Sequence, residues 1–267
     1  MNLCWMSFSY SASNRDEVER QAHHLAESLA RNGQIIDDYL IGWAPPRLLF
    51  TCHLPVAESL LEGHRSRYVK AALKRLEEAC RAEPEIEIFP GFEQPDHLAA
   101  LDSPAELLVD PLENSPIRDE NGLGVPLYLL PGDDDVREKL FVWSQQFRMI
   151  AALQGKCPAL ELEAYREVAN QWSSLNRVGR NWASFLESEL NVPTYYRLHR
   201  FYGNEDDRHH KQCCPGCGQP WFLPEGGEGI DFQCVSCRLV SSLPTDTRGD
   251  YRARYGRWEV GPGSLYP

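Results

Sequence analysis

Cys214, Cys217, Cys234 and Cys237 form two C-x2-C pairs, C-P-G-C and C-V-S-C, separated by sixteen residues. Thiolate sulfur is a preferred zinc donor, and two intervening residues let both sulfurs of one tight turn reach a single ion. Two such pairs supply a tetrahedral set. The spacing therefore predicts a zinc ribbon with one Zn2+. Its role is structural, because four thiolates fill the coordination sphere, whereas a catalytic zinc keeps a position open for water. A lone C-x-x-C can also work as a redox dithiol, but that chemistry has no need of a second pair at ribbon spacing. Cys213, His209 and His210 are close enough in sequence to replace Cys214 and read instead as solvated residues approaching the first pair.

The ligands need short strands to carry them. Gly218, directly after the first pair, supplies the positive backbone dihedral that such a turn often requires. Trp221 to Leu223 and Ile230 to Gln233 read as two strands joined by the glycine-rich 225–229 loop, and Leu239 to Leu243 reads as a third. Few apolar residues lie between the ligands. Metal binding should then supply much of the lobe's folding free energy, roughly 10 kcal/mol or more, so that removing the metal unfolds it.

Two stretches carry the residue types of a polyanion contact. Val192 to Tyr202 alternates as a strand and places Tyr195, Arg197 and His199 on one face, which could stack on and neutralise a nucleic-acid strand. The competing reading is a sheet strand whose aromatics pack and whose arginines meet carboxylates. Beyond the ribbon, Arg248, Arg252, Arg254 and Arg257 are interleaved with Tyr251, Tyr255 and Trp258, the most nucleic-acid-like composition in the chain. The same tail could instead pack on an acidic body.

The chain has 267 residues, enough for one large or two smaller domains beside the ribbon, and a net charge of -12. That charge opposes a protein built mainly to coat nucleic acid or an anionic membrane. No run approaches the roughly 20 apolar residues of a membrane span, and Met1 to Tyr10 lacks a basic leader. Nine cysteines, four of them assigned to metal, fit a reducing compartment better than a disulfide framework. The expected location is the cytoplasm.

Residues 1–90 read as strand, helix, two strands, helix and strand. Leu3 to Phe8 is the first strand. A helix over about 14–31 follows, buries Val18, Ala22, Leu25 and Leu29, and is bounded by Ser13 and Asn32-Gly33. Gln34 to Ile41 and Arg47 to Leu54 form the middle strands; a helix from Ser66 carries Val69, Leu73, Leu76 and Cys80; Glu85 to Phe89 closes the pattern. That order is the ferredoxin-like arrangement. Residues 91–133 read as an irregular connection with short strands at Glu106 to Asp110 and Pro126 to Leu130. Residues 134–203 read as a helical hairpin plus strand, with Val136, Leu140, Trp143, Phe147 and Ile150 on one buried stripe, Tyr165, Val168, Trp172, Leu175, Val178, Trp182 and Phe185 on another, and a break near Gly179. The ribbon occupies 204–245 and the basic-aromatic tail 246–267. The fold class is thus α+β, with a ferredoxin-like N-terminal domain, a helical middle region and a C-terminal zinc ribbon. Asp133, Asp134 and Asp135 complement a helix dipole more readily than they hold Mg2+.

The runs P-L-Y-L-L-P at 126–131, Leu175 to Gly179 with Arg180, V-P-T-Y-Y-R-L-H-R-F-Y-G at 192–203, C-P-G-C-G at 214–218 and F-Q-C-V-S-C-R-L-V-S at 232–241 resemble an uncharacterised bacterial family described as zinc-ribbon-containing and linked to nucleic-acid binding. The likeness covers the second half of the chain and is most specific over 192–241. It implies that the four cysteines carry the family's metal. Members can hold a further cysteine pair before the P-L-Y motif; residues 116–124 here contain no cysteine, so no second metal site is expected.

No Gly-rich phosphate loop, G-x-S-x-G elbow or H-E-x-x-H helix is present. The expectation is a non-enzymatic zinc-binding protein that works as a nucleic-acid-binding module. The alternative is a protein-interaction role, as an adaptor or as the inhibitor or immunity protein of a basic enzyme or toxin.

Overall fold

The computed structural model describes residues 2–11, 13–80, 82, 84–91, 96–201, 213–224 and 229–244. They fall into two compact units, Met1–Pro104 with Glu113–Val142, and Ala105–Leu112 with Trp143–Pro267.

The first unit begins with β1 (Asn2–Ser9), α1 (Arg15–Arg31), β2 (Ile36–Ala44), β3 (Arg47–Leu54), α2 (Arg67–Cys80) and β4 (Glu85–Phe89). β1 pairs antiparallel with both β3 and β4, and β2 pairs antiparallel with β3, giving the order β2-β3-β1-β4. This is the split β-α-β pattern of a ferredoxin-like sheet. Alternation in β1 and β3 sends Cys4, Met6, Phe8, Leu48, Phe50, Cys52 and Leu54 to one face, where they meet the helical stripes Val18-Ala22-Leu25-Leu29 and Val69-Ala72-Leu76-Cys80. The stripe predicted for α1 is the buried one; in α2, Val69, Leu76 and Cys80 are buried as predicted, but Leu73 is only partly buried and Ala72 joins the core beside it. Asn32 ends α1, and Gly33, at φ +70°, follows in the left-handed region, where an added Cβ would lie 2.6 Å from the Leu127 backbone nitrogen. The Val69 N–H bonds the Ser66 hydroxyl, as expected of a cap.

Next come β5 (Leu107–Val109), β6 (Ile117–Asp119) and α3 (Asp134–Lys156). The strand expected at Pro126 to Leu130 is instead a 3-10 turn, Leu127–Leu129. The aspartates entering α3 serve its N-terminus. Asp133 accepts from the Val136 N–H, Asp134 from the Arg67 N–H and the Arg137 guanidinium, and Asp135 pairs with Arg67.

The second unit contains β5, the end of α3, α4 (Glu161–Ala169), α5 (Ser174–Leu190), β7 (Thr194–Leu198), β8 (Phe232–Cys234) and β9 (Leu239–Ser241). β7 is central, with β5 and β9 both parallel to it and β8 antiparallel to β9. Trp143 and Phe147 of α3, Tyr165 and Val168 of α4, Leu175 and Leu186 of α5 and Tyr196 and Leu198 of β7 are buried. The helical break lies at 170–173, not near Gly179. Asn176 fixes it: its Nδ2 donates to the Glu167, Val168 and Asn170 carbonyls, while the Ser173 hydroxyl caps α5 by accepting from the Asn176 N–H. The interruption resets the helical phase. Trp172 and Val178, expected on the buried stripe, are therefore 38% and 42% exposed.

Candidate metal centre

Each cysteine pair sits in a tight turn closed by backbone geometry. In the first, the Gly218 N–H bonds the Cys214 carbonyl at 2.8 Å, the Gly216 N–H points at Cys214 Sγ at 3.3 Å, and Gly218 takes φ +73°. In the second, Arg238 stands where Gly218 stands in the first and adopts φ +53°, a conformation that costs a side-chain-bearing residue roughly 1 kcal/mol. Glu187 holds it there, accepting from Arg238 Nε at 3.1 Å and from Nη2 at 2.8 Å. These contacts also draw the Glu187 carboxyl below its usual value. β8 and β9 present the second turn, with Cys234 opposite Leu239.

The two turns bring four sulfurs together. The Sγ atoms of Cys214, Cys217, Cys234 and Cys237 all lie within 4.8 Å of one another, and Cys217 and Cys234 are 3.6 Å apart. Zn–S bonds of about 2.3 Å in a tetrahedron place sulfurs about 3.8 Å apart, whereas a disulfide requires about 2.05 Å. The donor set fits a metal ion. A Cβ at Gly216 would lie 2.7 Å from Cys237 Sγ, so the first turn must be side-chain-free where it faces the second. Burial pushes the Cys214 thiol up to about 11 and raises Cys237, while the Gln219 N–H helps pull Cys217 down. Four thiolates in one place need a cation to stay ionised; a bound dication supplies that charge.

The lobe is better packed than its sequence promises. Trp221 and Phe232 are buried with ring centroids 5.2 Å apart, and Phe222 lies 5.5 Å from Phe232. Trp221 to Leu223 forms only an isolated bridge and two backbone bonds, Gln233 N–H to Trp221 and Leu223 N–H to Asp231. The third predicted strand is β9, which extends the sheet through Tyr196↔Leu239 and Leu198↔Ser241. Cys213 is exposed and outside the sulfur cluster.

Arg197, expected at a polyanion contact, is turned onto the buried carboxylate of Asp110: Nε is 2.9 Å from Oδ2, and the side chain is 15% exposed. His199 Nε2 lies 3.1 Å from the other Asp110 oxygen, and its ring packs 5.4 Å from Phe147. The reading of β7 as a sheet strand with carboxylate-paired arginines describes this residue. Burial works to raise the Asp110 carboxyl, but the His199 hydrogen bond and the charges of His199 and Arg197 outweigh it and leave its pKa below the ordinary value. Its stabilisation is therefore complete above about pH 3.9 and fades as the pH falls through Asp110's own, lower value. Asp110→Asn should lower stability at neutral pH by about 2–3 kcal/mol and flatten that acid-side slope. Urea denaturation between pH 3 and 7 measures both; an unchanged profile would remove Asp110 from the account. Arg248, Tyr251, Arg252, Arg254, Tyr255 and Arg257 lie outside the described residues.

Sequence reasoning missed Asn176, Gly179, Glu187 and Arg238 as site-building residues. Asn176, a polar residue within an apolar helical stretch, left a local signal, and Gly179 left one that reads as a helix break.

Comparisons with known proteins give three matched domains of unknown function: DUF8589 over residues 1–90, DUF2310 over 110–199 and DUF8594 over 203–247. A crystal structure of an antibiotic biosynthesis monooxygenase is 12% identical, covers 35% of this chain and 100% of its own, and has a TM-score of 0.30. A conserved protein from Methanosarcina mazei Go1 is 21% identical, with coverage of 33% and 89% and a TM-score of 0.29. Two uncharacterised proteins of Haemophilus influenzae are closer in sequence. One is 32% identical over 201 residues, 71% of this chain and 75% of the relative; the other is 33% identical over 168 residues, 58% and 83%. Similarity of that extent, over three quarters or more of each relative, means that the chain belongs to the bacterial family of these Haemophilus influenzae proteins.

Proposed function

We propose that this is a non-enzymatic, cytoplasmic protein in which one zinc ion, bound by Cys214, Cys217, Cys234 and Cys237, locks a structural ribbon, and that the protein binds nucleic acid. The observation that carries the metal assignment is the four-sulfur cluster with near-tetrahedral spacing. A complete thiolate set leaves no open position for water, which supports a structural ion. Four further carboxylates serve structural duties: Asp110 is held by Arg197 and His199, and Asp133 to Asp135 by a helix start and by arginines. The composition of the C-terminal tail, Arg248, Arg252, Arg254 and Arg257 interleaved with Tyr251, Tyr255 and Trp258, supports the nucleic-acid part.

A second reading is favoured by the net charge of -12, which suits a basic protein partner and hence an adaptor or an inhibitor of a basic enzyme or toxin. Elemental analysis, combined with a salt series of binding to mixed DNA and RNA, separates the readings. One zinc per chain and an affinity that falls steeply with salt is the expected result. One zinc without nucleic-acid binding, together with a basic protein enriched in pull-downs, would replace it with the second reading.

A further inference from the structure

α5 and the second cysteine turn enclose a cleft of about 520 Å3 within the second unit. On the helix side, Arg177, Arg180, Asn181, Ser184 and Glu187 line it at helical spacing; on the other, Ser236, Cys237 and Arg238 do. The charges are unevenly committed. Arg238 and Glu187 neutralise each other in a two-nitrogen, two-oxygen contact. Arg177 and Arg180 have no carboxylate within ion-pair distance among the described residues. They stand one turn apart, with Cβ atoms about 5–6 Å from each other. Trp172 adds a large ring that is 38% exposed, with the Arg180 guanidinium 5.6 Å from its centroid.

We infer that this cleft binds single-stranded nucleic acid, with Arg177 and Arg180 on backbone phosphates and Trp172 stacked on a base. Guanidinium forks match phosphate geometry and are weakly hydrated, so two arginines with no carboxylate partner among the described residues favour phosphate over a chloride-like ion. An aromatic ring beside them takes the face of an unpaired base, which a duplex hides in its stack. The volume lies within the range of small-ligand sites and accommodates a nucleotide segment rather than a helix groove. A local basic patch also reconciles binding with the charge of -12, because the attraction is confined to one place. This rests on the nucleic-acid reading above and identifies its strand state and contact site.

One competing duty for the arginines follows from the metal. A zinc tetrathiolate carries two net negative charges, and Cys237 lines the cleft. The test therefore measures zinc as well as binding. Fluorescence anisotropy would follow a labelled ten-residue oligothymidylate and a duplex of equal length against the full zinc-loaded chain, using wild type, Arg177→Ala with Arg180→Ala, and Trp172→Ala. Wild type should prefer the single strand. The double variant should bind it about tenfold more weakly or worse while keeping its zinc, and the slope of log K against log salt should fall by about 1.4, two phosphates at about 0.7 each. Trp172→Ala should lose about tenfold with the slope unchanged. If wild type binds and the double variant binds equally well, the cleft is wrong and the nucleic-acid reading survives. No binding by wild type sinks both. A preference for duplex, equal binding to polyglutamate, or loss of zinc from the double variant overturns the cleft, the last by assigning the arginines to the metal's charge.

Discussion

Replacing Cys234 by serine should release the metal and unfold residues 213–224 and 229–244 together with their edge of the sheet. A serine hydroxyl does not deprotonate near neutral pH and is a poor zinc donor, so the three remaining sulfurs lose most of a binding free energy of roughly 10 kcal/mol or more. The raised thiols of Cys214 and Cys237 would then protonate, removing the charge that recruits a cation. The effect spreads because the ribbon is not an appendage. Cys234 opposes Leu239 on β9, and β9 is the parallel neighbour of β7, so unzipping the turn exposes Phe232, Leu239 and Val240, all within 1% of full burial. The β1–β4 sheet draws its core from other residues and should keep its amide protection. Hydrogen exchange resolves the two regions, and buried Trp221 reports the lobe by fluorescence. Chelation of the wild-type protein should reproduce the pattern. Full protection of Leu239–Ser241 in metal-free protein would mean that apolar packing alone holds the lobe.

What the sequence made legible was local. The cysteine spacing, the left-handed glycine after Cys217 and the stripes of α1 and α2 depend on residues within a few positions of one another, and periodicity reports them directly. The β-α-β-β-α-β order emerged because each element is short and bounded by turn residues. The hidden part was long-range. The parallel pairings of Leu107–Val109 and Leu239–Ser241 with β7 join segments that no turn connects, and both faces of β7 are covered, so its alternation carried no side preference. A carboxylate partner for Arg197 was legible as a possibility but its identity was not, because Asp110 is remote in the chain. The break between α4 and α5 was misplaced at Gly179 because a glycine within a helical pattern usually signals interruption; the interruption is made by Ser173 and Asn176, whose side chains bond the backbone instead.

Gly179→Ala is the substitution in which that misreading becomes measurable. In an exposed helix the change would stabilise by about 1 kcal/mol, because alanine restricts the unfolded chain and favours the helix. Position 179 is buried under two aromatic rings: an added Cβ would lie 2.7 Å from Tyr196 Cζ and closer still to Tyr196 Cε2 and Trp143 Cζ2. Neither ring can retreat cheaply. Tyr196 donates its hydroxyl to Asn176 Oδ1 at 2.6 Å, and Trp143 donates Nε1–H to the Leu175 carbonyl at 3.0 Å. Asn176 in turn holds the carbonyls of the α4–α5 break. Moving either ring strains a buried hydrogen bond, so overpacking and lost bonding together should exceed the propensity gain and leave a net destabilisation of about 3 kcal/mol. Gly155→Ala in α3 is the internal control, since nothing lies within 4 Å of the added methyl and the helix gain stands alone. Urea midpoints for the two variants should move in opposite directions. If both rise together, the rings over Gly179 have room to shift, and its role in close helix-to-sheet packing is wrong.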